Sequence, residues 1–288
     1  MQNETILIFG ATGMLGRELL SACNARGLHV AGLGGRGRVN ITDLRAVQDA
    51  VSAHRPTMIL NAAAFTNVDA AEENPQEAMR VNGAGPGNLA QAAAEHGVLL
   101  VDYSTDYIFS GRSRRPLRED DPPDPLNVYG ASKLEGERRV IDSGCDHLII
   151  RTSWLFAPHG RNFVRTIHAA ASAQSELKVV DDQVGRPTYA PDLAEMTLHL
   201  LEKNVRGVIH AANDGSCSRY ELARAIVEMS GLSCRVLPCD SSVHPRPALR
   251  PAWSVLDLSR LEAMGIQLRP WREALGDCLV RMQRESAA

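Results

Sequence analysis

The fold is decided by the stretch Ile6-Leu7-Ile8-Phe9-Gly10-Ala11-Thr12-Gly13-Met14-Leu15-Gly16, in which an apolar run meets a glycine-rich turn. The four apolar residues predict a short strand that is buried in a parallel sheet. Gly10 permits a sharp turn into a helix, Gly13 lets the backbone approach a pyrophosphate, and Gly16 permits close helix packing. The helix predicted over residues 14–26 would offer free N–H groups to phosphates. Turns collect glycine for other reasons as well, but at a first strand–helix junction this pattern predicts a dinucleotide-binding site.

The alternation of strand and helix continues through the first half of the chain. Further strands are predicted at 28–33, 57–60, 98–101 and 147–150, and helices at 43–54 and 74–96. Thr42 is the predicted N-cap of the first of these helices, while Pro75 and the segment 83–87 should interrupt or reshape the second. The pattern predicts an α/β fold with a doubly wound, Rossmann-like parallel sheet over residues 1–152.

The second half of the chain is less regular, and we expect residues 153–288 to form mainly a smaller C-terminal substrate-binding domain. Helices are predicted near 160–174, 192–203, 218–230 and 270–284. The run Val208-Ile209-His210 is typical of a strand, so the chain is expected to cross back to the sheet near residues 207–212. The boundary between the two domains is therefore approximate.

Composition argues against several classes of protein. The 288 residues carry a formal net charge of −3, which suggests neither a nucleic-acid nor an anionic-membrane partner. Residues 1–5 lack the basic start of a signal peptide, and no apolar run approaches the roughly 20 residues that span a bilayer. The six cysteines form no Cys-x-x-Cys pair and complete no metal site. We expect a cytoplasmic protein with reduced thiols and assign no metal.

The end of the second predicted strand bears on the choice of cofactor. NAD-selective sites usually carry an acidic residue there, whereas this chain has no carboxylate in residues 32–38 and two arginines, Arg36 and Arg38. A guanidinium can form paired hydrogen bonds with a 2′-phosphate that a carboxylate would repel. The sequence thus predicts a preference for NADPH, with NADH possible. The alternative is that both arginines belong to a solvated loop.

Tyr129 and Lys133 are four residues apart and so lie on one face of a predicted helix. A phenol ordinarily titrates near about 10, and an adjacent ammonium is expected to lower that pKa towards useful proton exchange. Asn127 is predicted to help start the helix, and Glu135 to pair with Arg139 on its surface. An exposed helical pair is the alternative interpretation of Tyr129 and Lys133.

Thr105 follows the fourth predicted strand, on the sheet edge where open parallel sheets bind ligands. Its hydroxyl could donate to a carbonyl oxygen and stabilise a developing alkoxide. Its alternative role is to end the strand or cap a turn. Together with Tyr129 and Lys133, Thr105 is predicted to be catalytic.

Several stretches, taken together, resemble a known family. The segments 10–16, 104–109 and 129–133 resemble the extended short-chain dehydrogenase/reductase superfamily. The segments 61–69, 151–154 and 181–188 narrow the resemblance to the dTDP-4-dehydrorhamnose reductases. Since the similarity extends from the first strand to Arg250-Pro251, it covers nearly the whole chain.

The resemblance implies a reductase that passes hydride from NADPH to C4 of dTDP-4-dehydro-L-rhamnose while Tyr129 supplies the proton. Together with the motifs, it gives the candidate cofactor-binding residues Gly10, Gly13, Met14, Leu15, Gly16, Arg36, Arg38, Asn40, Ile41, Ala64, Phe65, Thr66, Tyr129 and Lys133. The candidate substrate-binding residues are Thr105, Asp106, Trp154, Gln183 and Arg250. The partner is a dTDP-sugar, and the oligomeric state is left open, with a homodimer as one possibility.

Departures from the family pattern leave alternatives open. Relatives often carry Asp where this chain has Asn40, a change that bears on the adenosine contact. They commonly carry Tyr where it has Val184 and Gly where it has Arg186, changes on the substrate side that leave the exact sugar open. A ketoreductase for another nucleotide-linked 6-deoxysugar is one alternative. A second is a non-catalytic subunit resembling the regulatory subunit of methionine adenosyltransferase. A 4,6-dehydratase is disfavoured, because its relatives carry Asp-Glu where this chain has Asp106-Tyr107.

Overall fold

The computed structural model describes residues 4–34 and 39–287. The first half of the chain alternates strands and helices, as the apolar periodicity predicts. Its strands are β1 (Thr5–Phe9), β2 (His29–Leu33), β3 (Met58–Asn61), β4 (Leu99–Thr105) and β5 (His147–Thr152). Its helices are α1 (Met14–Ala25), α2 (Leu44–His54), α3 (Val68–Glu73), α4 (Pro75–Met79), α5 (Gly85–His96) and α6 (Val128–Asp142).

The second half of the chain contains shorter strands between its helices. The strands are β6 (Leu155–Phe156), β7 (Glu176–Val180), β8 (Val184–Gly185), β9 (Thr188–Tyr189), β10 (Gly207–His210), β11 (Cys217–Ser218) and β12 (Arg235–Cys239). The helices are α7 (Phe163–Ala173), α8 (Ala190–Glu202), α9 (Arg219–Met229), α10 (Ser259–Ala263) and α11 (Trp271–Ala287). Short 3₁₀ turns occupy Asp106–Ile108 and Ser241–Val243.

The central sheet has six parallel strands in the order β10-β5-β4-β3-β1-β2. The doubly wound parallel sheet predicted from the sequence is therefore confirmed. The strand order reverses beside β1, so the turn after β1 lies where open α/β sheets bind ligands. β10 pairs with β5 through Gly207↔Leu148 to His210↔Arg151, which returns the second half of the chain to the sheet.

Both faces of the sheet are covered, and β1 shows why. Ile6 and Ile8 point into one apolar cluster with α1 and α8, while Leu7 and Phe9 point into another with α2, α5 and α6. Because side chains alternate along a strand, four consecutive apolar residues serve two layers of helices. A third cluster, in the second half of the chain, is built around Phe156, Leu222 and Trp271.

Two local predictions need correction or refinement. The N-cap of α2 is Asp43, whose side chain accepts a hydrogen bond from the Ala46 N–H at 3.1 Å, and the prediction of Thr42 was wrong. Thr42 instead donates to the Asn40 side chain in the turn before the helix. The helix predicted over 74–96 is divided, because Arg80–Ala84 forms a π-helical turn between α4 and α5. The extra residue in that turn brings Asn82 inward, where it is buried.

Helix α6 depends on a close approach at Gly130, where a Cβ would lie 2.1 Å from the Tyr107 carbonyl oxygen. We expect Gly130→Ala to lower the free energy of unfolding by about 1–3 kcal/mol, since backbone must move to admit the methyl group. Gly276→Ala in α11 is the matched control, because its Cβ would meet only the mobile Met229 Cε at 3.2 Å. That variant should gain up to about 1 kcal/mol from helix propensity. Urea unfolding of both proteins measures the difference, and an equally stable Gly130→Ala would contradict the tight contact.

Candidate active site

Two adjoining cavities open at the carboxyl edge of the sheet. The inner cavity, of about 590 Å³, lies against the turn after β1, the ends of β3 and β4, and the start of α6. The basic cavity, of about 570 Å³, extends outward from it between α3 and the second half of the chain. Its cationic lining residues are Arg161, Lys178, Arg219, Arg246 and Arg250. Five residues line both cavities, namely Thr66, Val68, Tyr107, Arg161 and Arg219, so the two form one continuous groove.

Most of the candidate residues named from the sequence come together here. The inner cavity is lined by Gly13, Met14, Leu15, Ala64, Thr66, Thr105, Asp106, Tyr129, Lys133 and Trp154. The basic cavity is lined by Gln183 and Arg250, together with Thr66. Arg36 and Arg38 lie outside the described residues, so their proposed contact with a 2′-phosphate stays a prediction. The remaining candidates, Gly10, Gly16, Asn40, Ile41 and Phe65, line neither cavity.

The glycine turn shapes the inner cavity although Gly10 and Gly16 do not face it. Gly10 has φ +76°, and a Cβ there would lie 2.5 Å from the Ala63 nitrogen, while a Cβ on Gly16 would lie 2.1 Å from the Gly10 carbonyl oxygen. The turn is therefore closed to larger residues. Gly13 is the N-cap of α1, and no side chain in the described part of the chain caps it. The Gly13 N–H donates to the Gly10 carbonyl at 2.9 Å, which closes the turn, so the N–H groups left for a ligand at this helix end are those of Met14 and Leu15, which line the cavity.

Three of the candidates that line neither cavity make contacts in the loops next to the site, namely Asn40, Ile41 and Phe65. The Asn40 side chain accepts hydrogen bonds from Thr42, and Ile41 is buried against the backbone of Gly85. The Phe65 N–H donates to the Asn82 side chain at 2.8 Å, and the Asn82 amide donates back to the Phe65 carbonyl at 2.9 Å. This pair of bonds fixes the loop that presents Ala64 and Thr66 to the cavity.

The start of α6 is fixed by two hydrogen bonds. The Asn127 side chain accepts from the Gly130 N–H at 2.8 Å, which confirms the predicted cap. Glu72 of α3 accepts from the Val128 N–H at 2.8 Å. The predicted surface pair of Glu135 and Arg139 is also present, at 2.7 Å. These contacts set the orientation in which α6 presents Tyr129 and Lys133 to the cavity.

Lys133 is buried, and its Nζ lies 4.0 Å from Oδ2 of Asp102. Asp102 lies within β4, and its Oδ1 accepts a hydrogen bond from the Asn61 amide at 2.6 Å. Burial raises the pKa of Asp102, and the positive charge of Lys133 opposes that rise. The lysine therefore has a fixed counter-ion at the sheet edge.

The expected lowering of the Tyr129 pKa was wrong for this structure. Burial raises the pKa of Tyr129 above its ordinary value, and the nearby Thr105 hydroxyl offsets only part of that rise. The ammonium of Lys133 is paired with Asp102 instead. Tyr129 therefore carries its proton at neutral pH, although a raised pKa makes the phenol a weaker acid.

Thr105 ends β4 inside the inner cavity, where its alternative role of capping a turn is confirmed and its catalytic role stays a prediction. Its hydroxyl donates to Oδ1 of Asp106 at 3.1 Å and accepts from the Tyr107 N–H at 3.2 Å, so it does cap the following turn. It also lies close enough to Tyr129 to influence the phenol. The two hydroxyl groups can therefore serve one ligand atom.

Sequence reasoning missed Asn61, Asp102, Tyr107 and Arg219. Asn61 ends one apolar strand and Asp102 interrupts another. A polar residue in an otherwise apolar strand is a signal from which both could have been predicted. Tyr107 and Arg219 carry no such signal, since each reaches the cavities only through the tertiary fold. Arg219 stacks on the Trp154 ring, with its guanidinium carbon 3.5 Å from the ring centroid.

Two features are absent from the residues that the structure describes, 4–34 and 39–287. No group of three or more His, Cys, Asp or Glu side chains within them has an arrangement that could hold a metal ion. None of the helices within them combines the length and apolar character needed to cross a membrane.

Comparison with known proteins gives consistent matches over nearly the full length. The family model "RmlD substrate binding domain" matches residues 4–284. A dTDP-4-dehydrorhamnose reductase from Streptomyces griseus is 44% identical over 277 residues, covering 93% of this chain and 91% of that protein. A dTDP-4-keto-6-deoxy-D-glucose reductase from Streptomyces niveus is 38% identical, covering 93% and 94%. The crystal structure of the Bacillus anthracis dTDP-4-dehydrorhamnose reductase in complex with NADP has a TM-score of 0.93 at 35% identity, covering 96% and 99%.

Asp106 gives the site a testable pH dependence. Burial raises its pKa to about 6, because its carboxylate loses water while only part of it is hydrogen-bonded. The protonated form therefore favours folding, so this contribution is present below about pH 4 and is lost as pH rises through about 6. Relative to Asp106→Asn, the wild-type protein should lose up to about 3 kcal/mol of unfolding free energy over that interval. Denaturant unfolding of both proteins at several pH values tests this, and a constant difference would contradict it.

Proposed function

The chain belongs to the RmlD substrate-binding family, and from that membership and the site geometry we propose that it is an NADPH-dependent dTDP-4-dehydrorhamnose reductase. It reduces the C4 keto group of dTDP-4-dehydro-L-rhamnose to give dTDP-L-rhamnose. The observation that carries the proposal is the meeting of Thr105, Tyr129 and Lys133 in the cavity that the N-terminus of α1 also faces. A dinucleotide and a carbonyl compound can therefore be brought together at one place.

The residues of the inner cavity fit a nicotinamide dinucleotide. The backbone N–H groups of Met14 and Leu15 would hold the pyrophosphate beside Gly13, since no side chain of the described residues caps that helix end. Tyr129 and Lys133 would hold the ribose at the nicotinamide end. When bound, NADPH supplies the hydride and thus both electrons of the reduction. The preference for NADPH rests on Arg36 and Arg38 and on the relative that was crystallised with NADP.

The side chains divide the remaining chemistry among them. Tyr129, with its raised pKa, donates the proton to the carbonyl oxygen, and the Thr105 hydroxyl donates a hydrogen bond to the same atom. Lys133 keeps its place through Asp102 and contributes positive charge beside the phenol as a proton leaves it. Thr105 and Lys133 act from buried positions and Tyr129 from a partly buried one, where electrostatic effects are stronger than in water.

The groove also orders the substrate. We place the sugar beside Asp106 and Trp154 in the inner cavity, and the nucleotide in the basic cavity, where Gln183 and Arg250 lie. Residues 153–288 would then supply mainly the substrate side and residues 1–152 the cofactor side. We further propose that the protein works in the cytoplasm, which suits the six cysteines, all of them free.

One other substrate is favoured by a specific observation. The Streptomyces niveus relative is named a reductase of dTDP-4-keto-6-deoxy-D-glucose and is 38% identical. That sugar differs from the rhamnose precursor in configuration rather than in charge or reacting group. Product analysis by NMR after turnover with each dTDP-4-keto sugar distinguishes the two, because it reports the configuration at the carbons concerned.

We expect Tyr129→Phe to lower kcat by roughly 10²- to 10⁴-fold, because the proton donor is lost while the ring is kept. NADPH consumption with dTDP-4-dehydrorhamnose generated in situ measures this. NADPH affinity should stay within about threefold of wild type, since most of the cofactor's contacts involve other residues. Tyr220→Phe, on α9 outside both cavities, is the matched control and should keep full turnover. Undiminished turnover in Tyr129→Phe would remove the assigned role and favour a non-catalytic binding subunit.

A further inference from the structure

Arg219 lies where the inner and basic cavities join. It is the first residue of α9, whose N-cap Ser218 forms a complete capping box with Glu221. The Arg219 N–H also donates to the Gln183 carbonyl at 3.2 Å. The backbone of this arginine is therefore fixed from both sides.

The Arg219 side chain is held by aromatic rings. Its guanidinium carbon is 3.5 Å from the Trp154 ring centroid and 4.9 Å from that of Phe163. Stacking uses the flat faces of a guanidinium and leaves its N–H donors free in the plane. A guanidinium held in this way is oriented in advance for a planar or forked acceptor such as a phosphate.

The charge of Arg219 lacks a fixed counter-ion. Within residues 4–34 and 39–287, no carboxylate oxygen lies within 4.0 Å of its guanidinium, whereas Arg250 and Arg246 of the same groove pair with Asp69 at 2.9 and 3.4 Å. Arg161, the other arginine of the junction, is exposed to water. The polar neighbours of Arg219 are the Tyr107 hydroxyl, with which it forms a hydrogen bond, and the more distant Asp106 carboxylate. A partly buried charge without a carboxylate in contact is costly, and an anionic ligand would reduce that cost.

The positive charges of Arg219 and Arg250 both affect the pKa of Tyr107. Burial raises the pKa of Tyr107, and the charges of the two guanidiniums offset part of that rise. Tyr107 thus lies between the paired arginine of the basic cavity and the unpaired one at the junction. Tyr107 also lines both cavities, so a ligand that extends from one to the other lies near this position.

We propose that Arg219 is a specificity-determining residue that binds the diphosphate of the sugar nucleotide, an inference that rests on the proposed function. The pyrophosphate of the dinucleotide has its own site at the N-terminus of α1 beside Gly13. Arg219 lies instead beside Trp154 and Tyr107, between the reacting groups and the basic cavity. A diphosphate held there places the sugar inward, against Thr105 and Tyr129, and the nucleoside outward.

The test compares Arg219→Met with Arg219→Lys and with Arg224→Met. Methionine keeps much of the apolar contact with Trp154. Lysine keeps the positive charge but lacks the planar guanidinium that can donate two parallel hydrogen bonds. Arg224 is the matched control, because it lies on the same helix, stacks on Tyr220 with its guanidinium carbon 5.7 Å from the ring centroid, and lines neither cavity. Calorimetric titration of the full chain with dTDP, and separately with NADPH, measures each affinity without turnover.

We expect Arg219→Met to weaken dTDP binding roughly 10- to 100-fold and to raise the KM of the dTDP-sugar by a similar factor. Arg219→Lys should fall between, and Arg224→Met should match wild type. The NADPH affinity of Arg219→Met should stay within about threefold of wild type. The dTDP affinity of wild type should also fall more steeply with added salt than that of Arg219→Met, an effect that a merely structural role would not produce.

Three results would overturn the inference. They are an unchanged dTDP affinity in Arg219→Met, a parallel loss of NADPH binding and thermal stability, or an equal salt dependence in wild type and variant. Failure of the proposed function looks different. If dTDP binds through Arg219 but no dTDP-sugar is reduced, the reaction is wrong and the site stands. If the sugar is reduced with an unchanged KM in Arg219→Met, the reaction stands and the site is wrong.

Discussion

Lys133 and Asp102 form an ion pair almost wholly removed from water, with exposed side-chain fractions of 3% and 1%. Two charges in such a place are tolerated only when each has the other and further polar contacts are made. Asp102 gains its second contact from Asn61 at 2.6 Å, so the pair ties α6 to the end of β3 and the middle of β4. The close approach of Gly130 to the Tyr107 carbonyl brings the helix near enough for this. The position of Tyr129 is a consequence of these contacts.

Local features of the sequence were the ones that could be predicted. The apolar run 6–9, the glycine turn after it and the Asn127 cap depend on residues within a few positions of one another, and all appear as expected. The parallel sheet also followed, because alternating strands and helices leave few other ways to bury both faces. Thr42 was wrong by one position, since two adjacent residues could each cap the helix and only the local backbone selects Asp43.

The parts of the site that could not be predicted depend on residues far apart in the chain. The raised pKa of Tyr129 comes from burial, and the network of Lys133, Asp102 and Asn61 spans three elements, so the Tyr-x-x-x-Lys spacing alone suggested the opposite shift. Arg219 is 65 positions from the ring on which it stacks. No local pattern distinguishes such an arginine from one on a solvated helix surface. Its environment becomes visible only when both cavities are seen together.

Net charge gave no hint of the groove's polarity, because −3 over the whole chain hides a strongly basic region. Within that region, Asp69 accepts from both Arg246 and Arg250 and so reduces the repulsion between them. At the inner end the acidic group is Asp106, whose burial-raised pKa lets it become neutral in mildly acid solution. The groove therefore runs from a weakly charged reacting end to a positive outer end. A molecule with a neutral sugar at one end and a diphosphate further along would be oriented by that gradient before any contact specific to its sugar is made.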